Sequence, residues 1–213
     1  MTCRTVALCA LLLAALPAPA QELKVVVNPT EPDEVPPGSR EDQLLWKAAR
    51  DATVAHVQKF IGVLQVPKRI GEMFGELTHE MLMNAMYDAP ADAGGNPKYA
   101  ADRKADLCLP DAEQPTLRLA TDGTKLVLQV SDPFGRLARK HVFYGLARGL
   151  AQGEMDQSHG WAGLGMMVCH NSTAAMFFDV VRGRHTEVTA IFELDLNLRE
   201  FRTQAKSLHF FQS

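Results

Sequence analysis

A chain of 213 residues, 46% of them apolar, is long enough to bury one core, and a single domain is the expectation. Its net charge of −3, with 22% charged residues, offers neither the basic face that nucleic acid requires nor an acidic tail. Beyond the N-terminus no apolar run approaches the roughly 20 residues that a membrane-spanning helix needs.

At the N-terminus, Arg4 precedes the apolar run Val6 to Leu16, and Ala18-Pro-Ala20 meets Gln21. A basic residue, an apolar stretch and small residues at A-x-A spacing are the parts of a secretory signal. Residues 1–20 therefore read as a signal-like leader or as the product of a start codon placed too early. Cys3 and Cys9 fall inside this leader, and Cys108 and Cys169 alone are too few for a disulfide framework.

Residues 21–38 read as a linker that holds a short apolar strand, Leu23 to Val27, and ends at Pro36-Pro37-Gly38. Ser39-Arg-Glu-Asp42 is a capping box, so a helix is expected to open there. Leu45, Ala49, Ala52 and Phe60 carry its helical spacing to about Val63. Pro67 breaks it and starts a second helix, about Lys68 to Tyr87. On a wheel at about 100° per residue, Met73, Leu77, Ile70, Met81, Phe74 and Ala85 form one apolar stripe. Asn84 falls inside that stripe and Glu80 on its rim. A buried amide without a partner is costly, so Asn84 is expected to meet a polar neighbour.

Residues 88–114 have no period and read as a long loop, which in a compact domain is functional or mobile. Thr116 to Thr121 and Lys125 to Ser131 flank Asp122-Gly123, a hairpin signal of type I′. Asp132 stands at the end of the second strand. A helix over Arg136 to Leu150, a polar loop over Gly153 to Gly160 and a helix over Gly165 to His170 follow. Ala175 to Val181 and Thr186 to Leu194 alternate as strands. The tail ends in Leu208-His-Phe-Phe211, an apolar patch expected to dock on the domain.

Three short stretches carry chemistry. Glu80 and Asn84, four apart, share one side of a helix. An Asn oxygen suits Mg²⁺, and a carboxylate one turn earlier can polarise an attacking hydroxyl. The same spacing also arises in ordinary helices. Asp132-Pro-Phe-Gly135 puts an acceptor at a strand end and a glycine where the chain can pass a flat ring, although Asp-Pro is equally a plain turn signal. Gly160-x-x-Gly163-x-Gly165 opens a helix, where backbone N–H groups can converge on phosphates. No Gly-Lys-Ser/Thr follows it, so it is not a P-loop, and no strand precedes it as a Rossmann unit demands. His79 points away from the stripe, the histidines make no metal-ligand spacing with Cys169, and no G-x-S-x-G is present.

Taken in order, Glu80-x-x-x-Asn84-Ala85, Asp132-x-x-Gly135 and Gly163-Leu-Gly165 resemble the N box and the two glycine boxes of the GHKL ATPases. That superfamily includes gyrase, heat-shock chaperone, histidine kinase and mismatch-repair ATPases and the anti-sigma serine kinases. His185-Thr186-Glu-Val188 resembles the later position whose hydroxyl supports phosphates or an adenine-bound water. The likeness spans about Lys68 to Leu194. It implies an α/β two-layer sandwich, a mixed sheet with helices on one face (the Bergerat-type fold), formed by residues 39–213.

The resemblance also implies roles. Asn84 would hold Mg²⁺, Glu80 would act as base, and Asp132 would read the adenine amino group. Gly135 would lie under the ring, Gly163, Leu164 and Gly165 would belong to the lid, and Thr186 would assist. ATP and Mg²⁺ are the implied cofactors. The implied function is a histidine-kinase-like or anti-sigma-like protein kinase or ATPase acting on an unidentified protein partner, alone or as a homodimer. Two departures stand out: Pro133-Phe134 lacks the box's middle glycine, and Trp161 replaces a small lid residue. Both point to the alternative of a non-catalytic binding module. Extracytoplasmic compartments hold little ATP, so the expected location is cytoplasmic, with export the alternative if residues 1–20 are a true signal.

Overall fold

The computed structural model describes residues 21–26, 40–64, 66, 68–103, 107, 109–151, 164–195 and 198–213. Two long helices come first after a strand: β1 (Gln21–Val26), α1 (Arg40–Val63) and α2 (Lys68–Met83). A hairpin follows, β2 (Thr116–Thr121) and β3 (Lys125–Asp132), then α3 (Arg139–Ala151) and α4 (Leu164–Asn171). A second hairpin, β4 (Ala175–Val181) and β5 (His185–Glu193), leads through α5 (Leu198–Thr203) to β6 (Ser207–Gln212).

The strands form one six-stranded sheet in the order β1-β2-β3-β5-β4-β6. Every pair is antiparallel except β4 and β6, which run parallel, so the sheet is mixed. Alternation along a strand sends successive side chains to opposite faces. Leu117, Leu119, Leu126, Leu128, Val130, Met176, Phe178, Ala190 and Phe192 are all buried, and the register puts them on one face. The helices cover that face, which makes the two-layer α/β sandwich expected from the sequence. Phe74 of α2 meets Phe192 edge-on at 5.8 Å, and Phe201 of α5 stacks on the same ring at 4.6 Å. Each such fully buried aromatic stabilises the layer packing by about 2–3 kcal/mol.

The helix expected after the capping box begins at Arg40, while Ser39 itself lies outside the described residues. Its inward stripe differs from the expected one. Thr53, Val57 and Ile61 are buried against α2, whereas Ala52 is exposed and Phe60 only half-buried. An alanine gains little from burial, so it could not fix which face turned inward. On α2 the stripe Ile70, Phe74, Leu77 and Met81 is buried as expected. The short strand expected at Leu23 to Val27 is β1, Gln21–Val26, and it is hydrogen-bonded to β2, so the sheet starts inside the stretch 21–38 read as a linker. In the tail, Leu208 and Phe210 pack on the core, with Phe210 6.0 Å from Phe178. Among the described residues no helix is long and apolar enough to cross a membrane.

The hairpin tip at Asp122-Gly123 is held chiefly by the Asp122 carboxylate. It accepts from the backbone N–H groups of Thr124 at 2.9 Å and Lys125 at 2.7 Å, while Gly123 takes φ +89°.

Candidate functional site

The last turn of the α2 rod widens. Asn84–Asp88 forms a π-helical turn, in which the Asn84 carbonyl accepts from the Ala89 N–H at 3.0 Å. Such turns insert an extra residue per turn and re-aim the side chains at that point. Here the change sets Asn84 and Asp88 towards a cavity between the helices and the inner face of the sheet. The cavity has a volume of about 380 Å³, within the usual range for a small-molecule site.

Its walls are mostly apolar. Val130, Met176, Phe178 and Val188 come from the sheet, Met81 and Ala85 from the α2 rod, and Met166 and Cys169 from α4. Cys169 is no reactive thiol: burial, with the nearby Glu80 charge, pushes it far above the usual thiol range.

The polar groups gather at two places. One is the end of β3, where Asp132 lies directly opposite Thr186 of β5. The Asp132 carboxylate is 8% exposed and accepts from the Phe134 N–H at 2.9 Å. Burial pushes its pKa up to about 6, against the lowering effect of the Phe134 and Gly135 N–H groups, the Thr186 hydroxyl and His185. The Thr186 hydroxyl is buried beside that carboxylate, near enough to help hold its pKa down, but makes no hydrogen bond of normal geometry. A buried hydroxyl this poorly satisfied keeps hydrogen-bonding capacity at the cavity wall.

The second polar group is built on Arg103, in the loop that follows the π turn. One of its terminal nitrogens, Nη2, donates to Asn84 Oδ1 at 3.2 Å and to Asp88 Oδ2 at 2.5 Å. The other, Nη1, lies 3.8 Å from Glu80 Oε2. Burial raises the Asp88 pKa while the Arg103 guanidinium works to lower it. Arg136 and His141 complete this rim. Arg136 donates to the carbonyls of Ala89, Pro90 and Gly95 and so pins the loop ahead of Arg103. Burial and the neighbouring Lys140 and Arg136 charges lower the His141 pKa, against the opposing Asp88 carboxylate.

Of the residues singled out in the sequence, Asn84, Asp132, Gly165 and Thr186 all line this one cavity. Glu80 stands just behind it. Its carboxylate is 24% exposed and packs on Gly165 so closely that a Cβ there would collide with it. Gly135 lies outside the cavity wall. It takes φ +61°, its carbonyl accepts from the Gly183 N–H at 3.2 Å, and a Cβ would strike the Val181 carbonyl. The close approach that Gly135 permits is thus to the β4–β5 turn. Leu164 opens α4, and Gly163 lies outside the described residues, as do Gly160 and Trp161. Sequence reasoning missed Arg103, Asp88, Arg136 and His141. Asp88 had a signal, since it continues the four-residue spacing of Glu80 and Asn84.

Mg²⁺, which the GHKL resemblance implies, does not fit this arrangement as it stands. The Asn84 oxygen already accepts from a cationic donor, and the carboxylates on either side are turned to the same guanidinium.

No protein-family model matches the chain, and no curated protein matches it. Among solved structures, a chain from the crystal structure of the SiaB–SiaC complex from Pseudomonas aeruginosa is similar at a TM-score of 0.42 and 13% identity. The match covers 80% of this chain and 88% of that one. A likeness so distant assigns no family.

Proposed function

We propose that this chain is an adenine-nucleotide-binding domain of the GHKL type and that ATP is its ligand. The observation that carries this reading is the Asp132 carboxylate standing beside the buried Thr186 hydroxyl, which makes no hydrogen bond of normal geometry, at the wall of an apolar cavity. A purine ring fills such a cavity with flat apolar surface. Its exocyclic amine would donate to the Asp132 carboxylate, and the adjacent ring nitrogen would accept from Thr186. The phosphates would then reach the rim that Arg103, Arg136 and His141 form.

On turnover, a specific observation favours the binding-only form over a protein kinase or ATPase. Glu80, the base that the resemblance implies, is turned to Arg103 and packed on Gly165. A general base must reach the proton that it takes. A signalling partner and a cytoplasmic supply of ATP belong to the proposal in either form.

The test is titration calorimetry of the full chain with ATP and GTP. ATP should bind and GTP should bind far more weakly, because guanine sets a carbonyl where adenine sets the amine, facing a carboxylate. Equal affinities, or no heat at millimolar ATP, overturn the assignment.

A further inference from the structure

We infer that the Arg103 guanidinium stands where a divalent cation would otherwise sit, so that this site holds the phosphates of a nucleotide without Mg²⁺. The inference rests on the nucleotide reading above and goes beyond it to the ionic form of the ligand.

Glu80, Asn84 and Asp88 descend one side of the α2 rod at four-residue spacing. The π turn begins at Asn84, and its wider winding brings residues four apart closer to one line than an α-helix does. Three oxygen-bearing side chains therefore converge, which is what a hard cation asks for. The cation that meets them belongs to the chain. Arg103 donates to Asn84 and Asp88 and lies within ion-pair distance of Glu80. Among the described residues no group of three His, Cys, Asp or Glu side chains that could hold a metal is found, at this place or another.

Arg103 and Mg²⁺ exclude each other. Both would need the Asn84 oxygen, and two cations at that separation repel in a half-buried setting. Arg103 is also placed to do a cation's work. It lines the cavity, and a guanidinium carries five N–H donors, more than its three partners here engage. The remaining donors can meet phosphate oxygens in the forked geometry that arginine favours. Arg103 also offsets Glu80 and Asp88. Without it, two carboxylates would face the phosphates and repel them.

The experiment is calorimetric titration of the full chain with ATP, in excess EDTA and in excess MgCl₂, with adenosine as a probe that has no phosphates. The parent should bind ATP equally well in both buffers. Arg103→Ala should bind ATP about tenfold or more weakly in EDTA, regain affinity in MgCl₂ as the Asn84 oxygen is freed, and bind adenosine as the parent does. Arg103→Lys keeps the charge but loses the fork, so it should retain part of the EDTA affinity. It also covers the case in which Arg103→Ala does not fold. A parent whose ATP affinity rises tenfold or more with MgCl₂ overturns the inference. So does an Arg103→Ala protein that binds ATP in EDTA as well as the parent. Adenosine binding without any gain from the phosphates overturns the inference and leaves the adenine pocket standing. If neither ATP nor adenosine binds, the nucleotide reading falls and takes the inference with it.

Discussion

Replacing Asp132 by Asn should make the protein more stable at neutral pH and a poorer ligand binder. The Asp132 carboxyl titrates near 3.8 in an unfolded chain and near 6 in the folded one, because burial disfavours its charge. Between those values the folded state holds a proton that the unfolded state has released. Stability therefore falls as pH rises through the window from about 4 to 6 and stays low above it. The whole difference amounts to about 3 kcal/mol once both forms are ionised. Asn is close in shape, its Oδ1 can still accept from the Phe134 N–H, and it never ionises.

Urea denaturation of parent and Asp132→Asn at pH 4 and pH 8 isolates this effect, since other groups titrate alike in both. The two should be nearly equal at pH 4. At pH 8 the variant should lead by about 2–3 kcal/mol, a shift in midpoint of about 1 M urea. The same change should weaken ATP by about tenfold to a hundredfold, the worth of a charge-assisted hydrogen bond. A stability difference that ignores pH, or a variant less stable at pH 8, would show that Asp132 merely caps its turn through the Phe134 N–H.

Thr186→Val removes a buried hydroxyl that makes no hydrogen bond of normal geometry and only helps hold down the Asp132 pKa, so stability should change by no more than about 1 kcal/mol while ATP weakens severalfold, read by thermal melting and calorimetry. Gly135→Ala forces a Cβ into a positive-φ position and against the Val181 carbonyl, so it should cost about 2–4 kcal/mol in urea denaturation. Gly165→Ala meets only the movable end of Glu80 and gains helix propensity, so its net change should stay within about 1 kcal/mol.

The elements of this fold were legible where the signals are local. The Ser39 capping box set the start of α1 to within a residue, Asp122-Gly123 marked the hairpin tip, and alternation found β4 and β5. Sheet order was not legible. Nothing near Ser207–Gln212 says that β6 pairs in parallel with β4, and nothing near Gln21–Val26 says that β1 closes the far edge beside β2. Those neighbours are chosen by pairing across more than 30 residues, which no local period records. The site divides in the same way. Asn84, Asp132, Gly165 and Thr186 come from four separate elements and still line one cavity, because each occupies a position fixed by its own element's end. The Asp132-to-Gly135 stretch predicted a glycine that a ligand could approach. The residue needs its positive φ, but for the β4–β5 turn.

Glu80 shows why a helix wheel cannot assign a base. The wheel placed it correctly at the edge of a buried stripe, where solvent and substrate are both conceivable neighbours. Its surroundings are set instead by Gly165, 85 positions later, and by Arg103, in a loop without any period. The π turn at Asn84 is equally invisible to a pattern read at 3.6 residues per turn, yet it helps bring Asp88 to the same guanidinium. For Glu80 to take a proton from an incoming hydroxyl, Arg103 would first have to leave it, and that same departure would free the Asn84 oxygen for Mg²⁺. On the proposed reading, metal dependence and turnover are tied to one side chain: with Arg103 in place neither is expected, and its release would supply the means for both together.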